Sequence, residues 1–249
     1  MKPPTLPSGA CDTHVHVFRP DLYPYAADRV YTPARVTSGD LAAFLDSHGL
    51  QRVVIVQPSV YGSDNRALTD AIGELGARAR GIAVLDCAGT SDRELQKLEK
   101  AGVRGIRLNV ATREADGLAD CAKRAAAILA GSKWAIQIYA PLAGIVAAAP
   151  TLRNLRQPVI LDHFGGARTG GAELPDGTGV LIDLARNGPA YIKISAAYRV
   201  SDGTRPGWPD VAPLARHLVE GKRCPAPMFR AGSGGGLMPS HERSIWPYA

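Results

Sequence analysis

The chain lacks most of the features that place a protein outside the ordinary globular class. No apolar run in its 249 residues approaches the roughly 18 needed to cross a bilayer, because Arg, Asp or Gly interrupts every candidate stretch. The start, MKPPTLPSGA, has no apolar h-region, so a secretory signal is not expected. Four cysteines (Cys11, Cys87, Cys121, Cys224) lie far apart without a C-x-x-C pair, which argues against a structural zinc site or a disulfide framework. Free thiols in a reducing cytoplasm are the expectation. Aromatic residues make up only 6%, with no array for stacking bases, and Lys and Arg are spread among acids. The net charge of +6 therefore points to small anionic ligands; neither nucleic acid nor a membrane is expected as a partner.

Three motifs are also missing. The turn after the first strand lacks G-x-G-x-x-G, which weakens a dinucleotide-binding reading. There is no G-x-S-x-G nucleophile elbow. The run Gly232-Ser233-Gly234-Gly235-Gly236 is no P-loop, since no Gly-Lys-Ser/Thr follows it.

What is present is a repeated unit of about thirty residues, a short β-branched run followed by a longer Ala/Leu-rich segment. Strands are expected at 11–17, 52–57, 81–86, 103–109, 134–140, 158–164 and 190–196, and helices near 38–47, 64–79, 91–101, 115–130, 141–149, 177–187 and 208–220. Ser38, Ser63 and Ser91 stand as N-caps, and Gly49 and Gly102 as helix stops. Seven such units favour an α/β fold of the (β/α)8 TIM-barrel type as a single domain over 1–249, with residues 1–10 as an N-terminal arm. In that fold, the carboxyl ends of strands carry the active site.

The sharpest local signal is Asp12-Thr13-His14-Val15-His16. Side chains alternate along a strand, so His14 and His16 face one side, where two imidazoles could bind a divalent metal or polarise a carbonyl. The alternative is a pair satisfied by backbone or water. His163 ends an apolar run and enters Phe164-Gly165-Gly166, a position where catalytic groups collect. Asp162, of opposite parity, is expected to point away and be structural. His48, His217 and His241 are weaker candidates. Arg107 and Asn109 share a face, Gln137 and Tyr139 alternate likewise, Ser59 follows strand two, and Ser195 and Arg199 close strand seven. The two arginines suit a carboxylate-bearing ligand, though either could be a surface ion-pair partner.

Taken together, CDTHVHVF, VVIVQPSVYGSDN, RGIRLN, QIYA, VILDHFGG and KISAAYR resemble the amidohydrolase superfamily over roughly residues 10–220, in the branch of 2-pyrone-4,6-dicarboxylate lactonase, 4-sulfomuconolactone hydrolase and D-galactarolactone isomerase. The resemblance implies a metal-dependent-hydrolase-like barrel that hydrolyses, or reversibly opens, a carboxylated lactone. His14, His16 and His163 would act at the reacting carbonyl, and Arg107, Tyr139 and Arg199 would hold carboxylates or the ring, with Ser59 and Tyr31 in support. Tyr139 stands where a two-metal site would need lysine or histidine. No metal is therefore the first expectation, and one zinc on His14, His16 and His163 the alternative.

The likeness breaks at strand eight. The family pattern [WF]-G-[ST]-D-W-P meets Phe229-Arg230-Ala231-Gly232-Ser233-Gly234, with glycine where the Asp belongs. The expectation is that a frame shift or a degenerate gene copy has disrupted strand eight and removed the final helix, leaving 221–249 an incomplete unit. The alternative is a genuine variant tail with Glu242 or Asp86 as base. A catalytically impaired barrel that only binds a dicarboxylate or sugar acid, or a lactone isomerase, remains beside the lactonase reading. Oligomeric state is left open.

Overall fold

A computed structural model describes residues 6–86, 89–110, 117–169, 173–203 and 207–221. The chain divides into two compact units, Met1–Arg107 and Leu108–Ala249. In each, parallel strands alternate with helices, as the thirty-residue repeat demands.

The first unit carries β1 (Cys11–Val15), β2 (Arg52–Val56), β3 (Ala79–Ala83) and β4 (Val103–Asn109, whose last two residues open the second unit). Each pairs in parallel with the next, Val53 opposite Ala79 and Ile82 opposite Gly105. Between them run α1 (Ser38–Ser47), α2 (Arg66–Leu75) and α3 (Asp92–Lys100). Val53 to Val56 are buried without interruption, with Leu41, Leu45, Leu68 and Ile72 supplied by the helices. Burying each such side chain stabilises by about 1.5–3 kcal/mol.

The helix signals are right in kind and off by one or two residues. Thr37, rather than Ser38, caps α1. Its Oγ1 accepts from the Asp40 N–H at 3.1 Å while the Asp40 carboxylate accepts from the Thr37 N–H at 2.8 Å, a reciprocal box that holds the Asp40 carboxyl below its usual range. Ser38 turns inward and donates to Glu74. Asn65, not Ser63, occupies the cap of α2, and its side chain instead ties the loop to Val84, accepting from its N–H at 3.0 Å and donating to its C=O at 2.8 Å. Ser91 caps α3 as expected, accepting from the Glu94 N–H. Gly49 and Gly102 follow their helices at φ 67° and 98°.

The second unit carries α4 (Leu118–Ile128), β5 (Ala135–Tyr139), α5 (Leu142–Arg153), β6 (Val159–Leu161), α6 (Thr178–Asn187), β7 (Ala190–Ile192), the single turn α7 (Ala197–Val200) and α8 (Ala212–Gly221). β5, β6 and β7 pair in parallel, Gln137 opposite Ile160 and Ile160 opposite Tyr191. α5 runs past Pro150, where the sequence reading stops it. Leu152 and Ala149 are buried, and that packing outweighs one missing N–H donor.

β1, β6 and β7 end earlier than their apolar runs, which leaves His16, Asp162 and Ser195 just beyond the ladder. The expected eighth unit over 221–249 lies outside the described residues, as do Cys87 and Cys224, apart from Gly221, which ends α8. Cys11 and Cys121 form no disulfide. Among the described residues, no helix is long and apolar enough to cross a membrane.

Candidate active site

In the first unit, the near-extended chain at the end of β1 brings His14, on the strand, beside His16, just past it. The His14 and His16 ring centroids lie 5.1 Å apart, nearly perpendicular. His16 Nδ1 lies 2.7 Å from the Val56 carbonyl oxygen, so Nδ1 carries a proton and donates. The His14 N–H donates to Asp12 Oδ1 at 2.9 Å, which fixes the backbone where β1 bulges against β2. One ring nitrogen of the pair is thus committed to backbone, as the structural alternative requires.

Arg107, at the end of β4, is buried, and its Nη1 donates to the Gln57 carbonyl at 3.4 Å. Gln57 is itself fully buried and donates from Nε2 to the Asp64 C=O at 2.8 Å. Ser59 opens a short 3-10 turn after β2 and is exposed. Tyr31 is also exposed, in the loop that Phe18 and Val36 close with two backbone hydrogen bonds.

In the second unit, the residues after β6 leave the strand conformation at once. His163, Phe164, Gly165 and Gly166 all have positive φ, from 47° to 68°. Two are not glycine, and such strain concentrates at functional sites. Gly166 has no substitute, because a Cβ there would collide with the Ala140 carbonyl oxygen. His163 is buried, with Nδ1 3.0 Å from Ser195 Oγ. Its ring meets Tyr139 edge-on at 5.4 Å. The Tyr139 phenol oxygen in turn accepts from Arg199 Nη1 at 3.4 Å. The Arg199 guanidinium lies between two rings, 5.9 Å from Tyr139 and 5.4 Å from Tyr198. Burial opposes its charge, but the hydrogen bonds and charge interactions with Tyr198 and Tyr139 prevail and raise its pKa. No carboxylate pairs with Arg199 among the described residues. The unit therefore assembles an imidazole, a phenol and a fixed cation from three different strand ends.

Two expectations fail here. Asp162 does not point away from His163: one of its carboxylate oxygens lies within 4.8 Å of a ring nitrogen of His163. Strand parity holds only while the chain is extended, and the positive φ of His163 swings its side chain to the same side. Gln137 is not available to a ligand either. It is fully buried and donates from Nε2 to Asp162 Oδ2 at 2.9 Å.

Lys193, which sequence reasoning passed over, completes the cluster. Its Nζ lies 3.3 Å from Asp162 Oδ1 and donates to Gln137 Oε1 at 3.0 Å, with its side chain only 10% exposed. The signal for it was a lone lysine of the same parity as Ser195 in the apolar run AYIKIS.

Residues 11–223 match the family of amidohydrolases. The chain is 34% identical to 2-pyrone-4,6-dicarboxylate hydrolase of Comamonas testosteroni over 86% of its own length and 73% of that protein's. It is 31% identical to 4-sulfomuconolactone hydrolase of Hydrogenophaga intermedia, over 86% and 71% of the two chains. Among solved structures, a probable 2-pyrone-4,6-dicarboxylic acid hydrolase from Acinetobacter baumannii with citric acid bound superposes with a TM-score of 0.71 at 27% identity, covering 86% of this chain and 78% of the other.

Proposed function

The chain belongs to the amidohydrolase family, and we propose that it is a hydrolase that opens a carboxylated lactone, with a 2-pyrone-dicarboxylate-like or muconolactone-like acid as substrate. The observation that carries the reading is the contact of His163, Tyr139 and Arg199 at the strand ends of the second unit. An acid–base group there stands beside a cation already oriented to receive a carboxylate. The citrate-bound relative supports an anionic ligand with several carboxylates.

In this reading Arg199 and Arg107 each take a carboxylate, and Tyr139 borders the ring with Ser59 and Tyr31 in support. His14, His16 and His163 polarise the lactone carbonyl as water attacks its carbon. The water's proton passes to a carboxylate, for which the sequence offers Asp86 and Glu242. The tetrahedral intermediate collapses with cleavage of the ring C–O bond, and the leaving oxygen takes the proton back. Imidazole nitrogens fit a borderline divalent ion, and a phenol at Tyr139 does not complete a two-metal set. A zinc, when bound, would be held by His14, His16 and His163 and would add Lewis-acid polarisation; the mechanism takes the imidazoles themselves as sufficient. The finer architecture that goes with this reading is a TIM-type barrel, in a protein of the cytoplasm, where Cys11 and Cys121 would stay reduced.

The test is ring opening of a panel of carboxylated lactones by protein shown to be folded. A second reading, ligand binding with little or no turnover, is favoured by the absence of any Asp between residues 221 and 249. Calorimetric binding of a dicarboxylate without ring opening would select it. If strand eight is disrupted, Gly234→Asp combined with a family-like C-terminal helix is expected to raise turnover; unchanged turnover would count against that disruption.

A further inference from the structure

The buried cluster of Gln137, Asp162 and Lys193 has no part in the mechanism above, yet it is built around the residue that does. Burying an ion pair is costly unless its geometry and extra hydrogen bonds are good. Here Asp162 faces the Lys193 ammonium at 3.3 Å through one oxygen and accepts from the Gln137 amide at 2.9 Å through the other, and Lys193 donates to Gln137 at 3.0 Å.

The backbone adds what the side chains alone do not. The three residues Asp162, His163 and Phe164 are each bound by the short run 193–195. Asp162 is held through the Lys193 ammonium, and the Phe164 N–H donates to the Lys193 carbonyl at 2.8 Å. His163 is held through Nδ1 at Ser195 Oγ. The Lys193 N–H donates to the Leu161 C=O at 2.9 Å, one residue before the turn. His163 therefore keeps its left-handed backbone because both of its neighbours are tied to one lysine. Its ring direction is set two residues further along the same strand end.

We propose that Lys193, with Gln137, is a positioning residue for His163: their hold on Asp162 and Phe164 fixes the backbone strain and the ring orientation that the imidazole needs at the lactone carbonyl. The role in catalysis rests on the lactone-opening reading, but the role in positioning does not. The two are tested separately.

The first measurement needs no substrate. Long-range proton–nitrogen spectra of the imidazoles, with the His163 signals assigned by His163→Gln, report its tautomer. Lys193→Met is expected to shift the His163 ring-nitrogen signals and to leave those of His48 and His217 in place. In turnover, the same variant should lower kcat by about 10–100-fold, the usual scale for residues that orient a catalytic group, with KM changed less than about twofold. In a His163→Gln background it should cause no further loss, because a residue acting through His163 has nothing left to orient.

Unchanged His163 signals in folded Lys193→Met, or an equal loss of activity in the His163→Gln background, would overturn the proposal. If Lys193→Met does not fold, Gln137→Leu, which keeps both charges, must shift the same signals by a smaller amount, and unshifted signals there sink the idea equally. Shifted signals in a folded protein that opens no lactone would refute the functional reading and leave the positioning intact.

Discussion

His163 Nδ1 and Ser195 Oγ lie 3.0 Å apart, the one at the turn after β6 and the other at the turn after β7. A contact between two strand ends fixes the tilt of a buried imidazole. Ser195→Ala should lower kcat by roughly tenfold with little change in KM, since it removes orientation and leaves the binding groups alone. Steady-state kinetics on the cognate lactone checks this. An effect confined to KM would place Ser195 in substrate binding instead.

Arg199 provides the second prediction. It is flanked by Tyr139 and Tyr198, and among the described residues its guanidinium donates to their phenol oxygens. A carboxylate gripped by that guanidinium is worth about 1.5–3 kcal/mol, or 10–100-fold in affinity. Arg199→Met should raise KM by that factor with kcat nearly intact. Arg199→Lys should recover little, because an ammonium lacks the planar fork. Full recovery by lysine would argue for simple charge steering.

The third prediction concerns acid stability. Asp210 accepts from Thr169 Oγ1 at 2.6 Å and from Ser201 Oγ at 2.8 Å, and so joins the loops after β6 and β7. Those hydrogen bonds, that from Thr169 first, lower its pKa below the ordinary 3.8. A depressed carboxyl stabilises the fold above its unfolded pKa, and that contribution is lost as pH falls through the folded one. Asp210→Asn should therefore melt about 2–4 °C lower at pH 7, with the gap to the unaltered protein closing below about pH 4. A gap that persists unchanged into strong acid would contradict it.

The repeat of apolar runs made the order of strands and helices legible, and β4 was readable to the residue because Val103–Asn109 is bounded by Gly102 and ends in a polar pair. His14, His16 and His163 could be found from parity and from the glycines after His163. Asp162 and Gln137 could not be placed the same way. The left-handed turn at His163 cancels the parity rule for Asp162. Gln137 spends its amide on a carboxylate twenty-five residues away, a pairing no local pattern encodes. Lys193 left only the trace of a lone lysine in an apolar run, because the role of a buried lysine shows only once its acid is seen beside it.

The central claim is that His163 works at the carbonyl of a carboxylated lactone. The most direct measurement is kcat/KM for ring opening across a panel of such lactones, for the unaltered protein and for His163→Ala confirmed as folded. The account predicts turnover of at least one member and a fall of about 10²–10⁴-fold in the variant, the range for loss of an acid–base group. No turnover of any carboxylated lactone by the folded protein, or undiminished turnover by the variant, would contradict it.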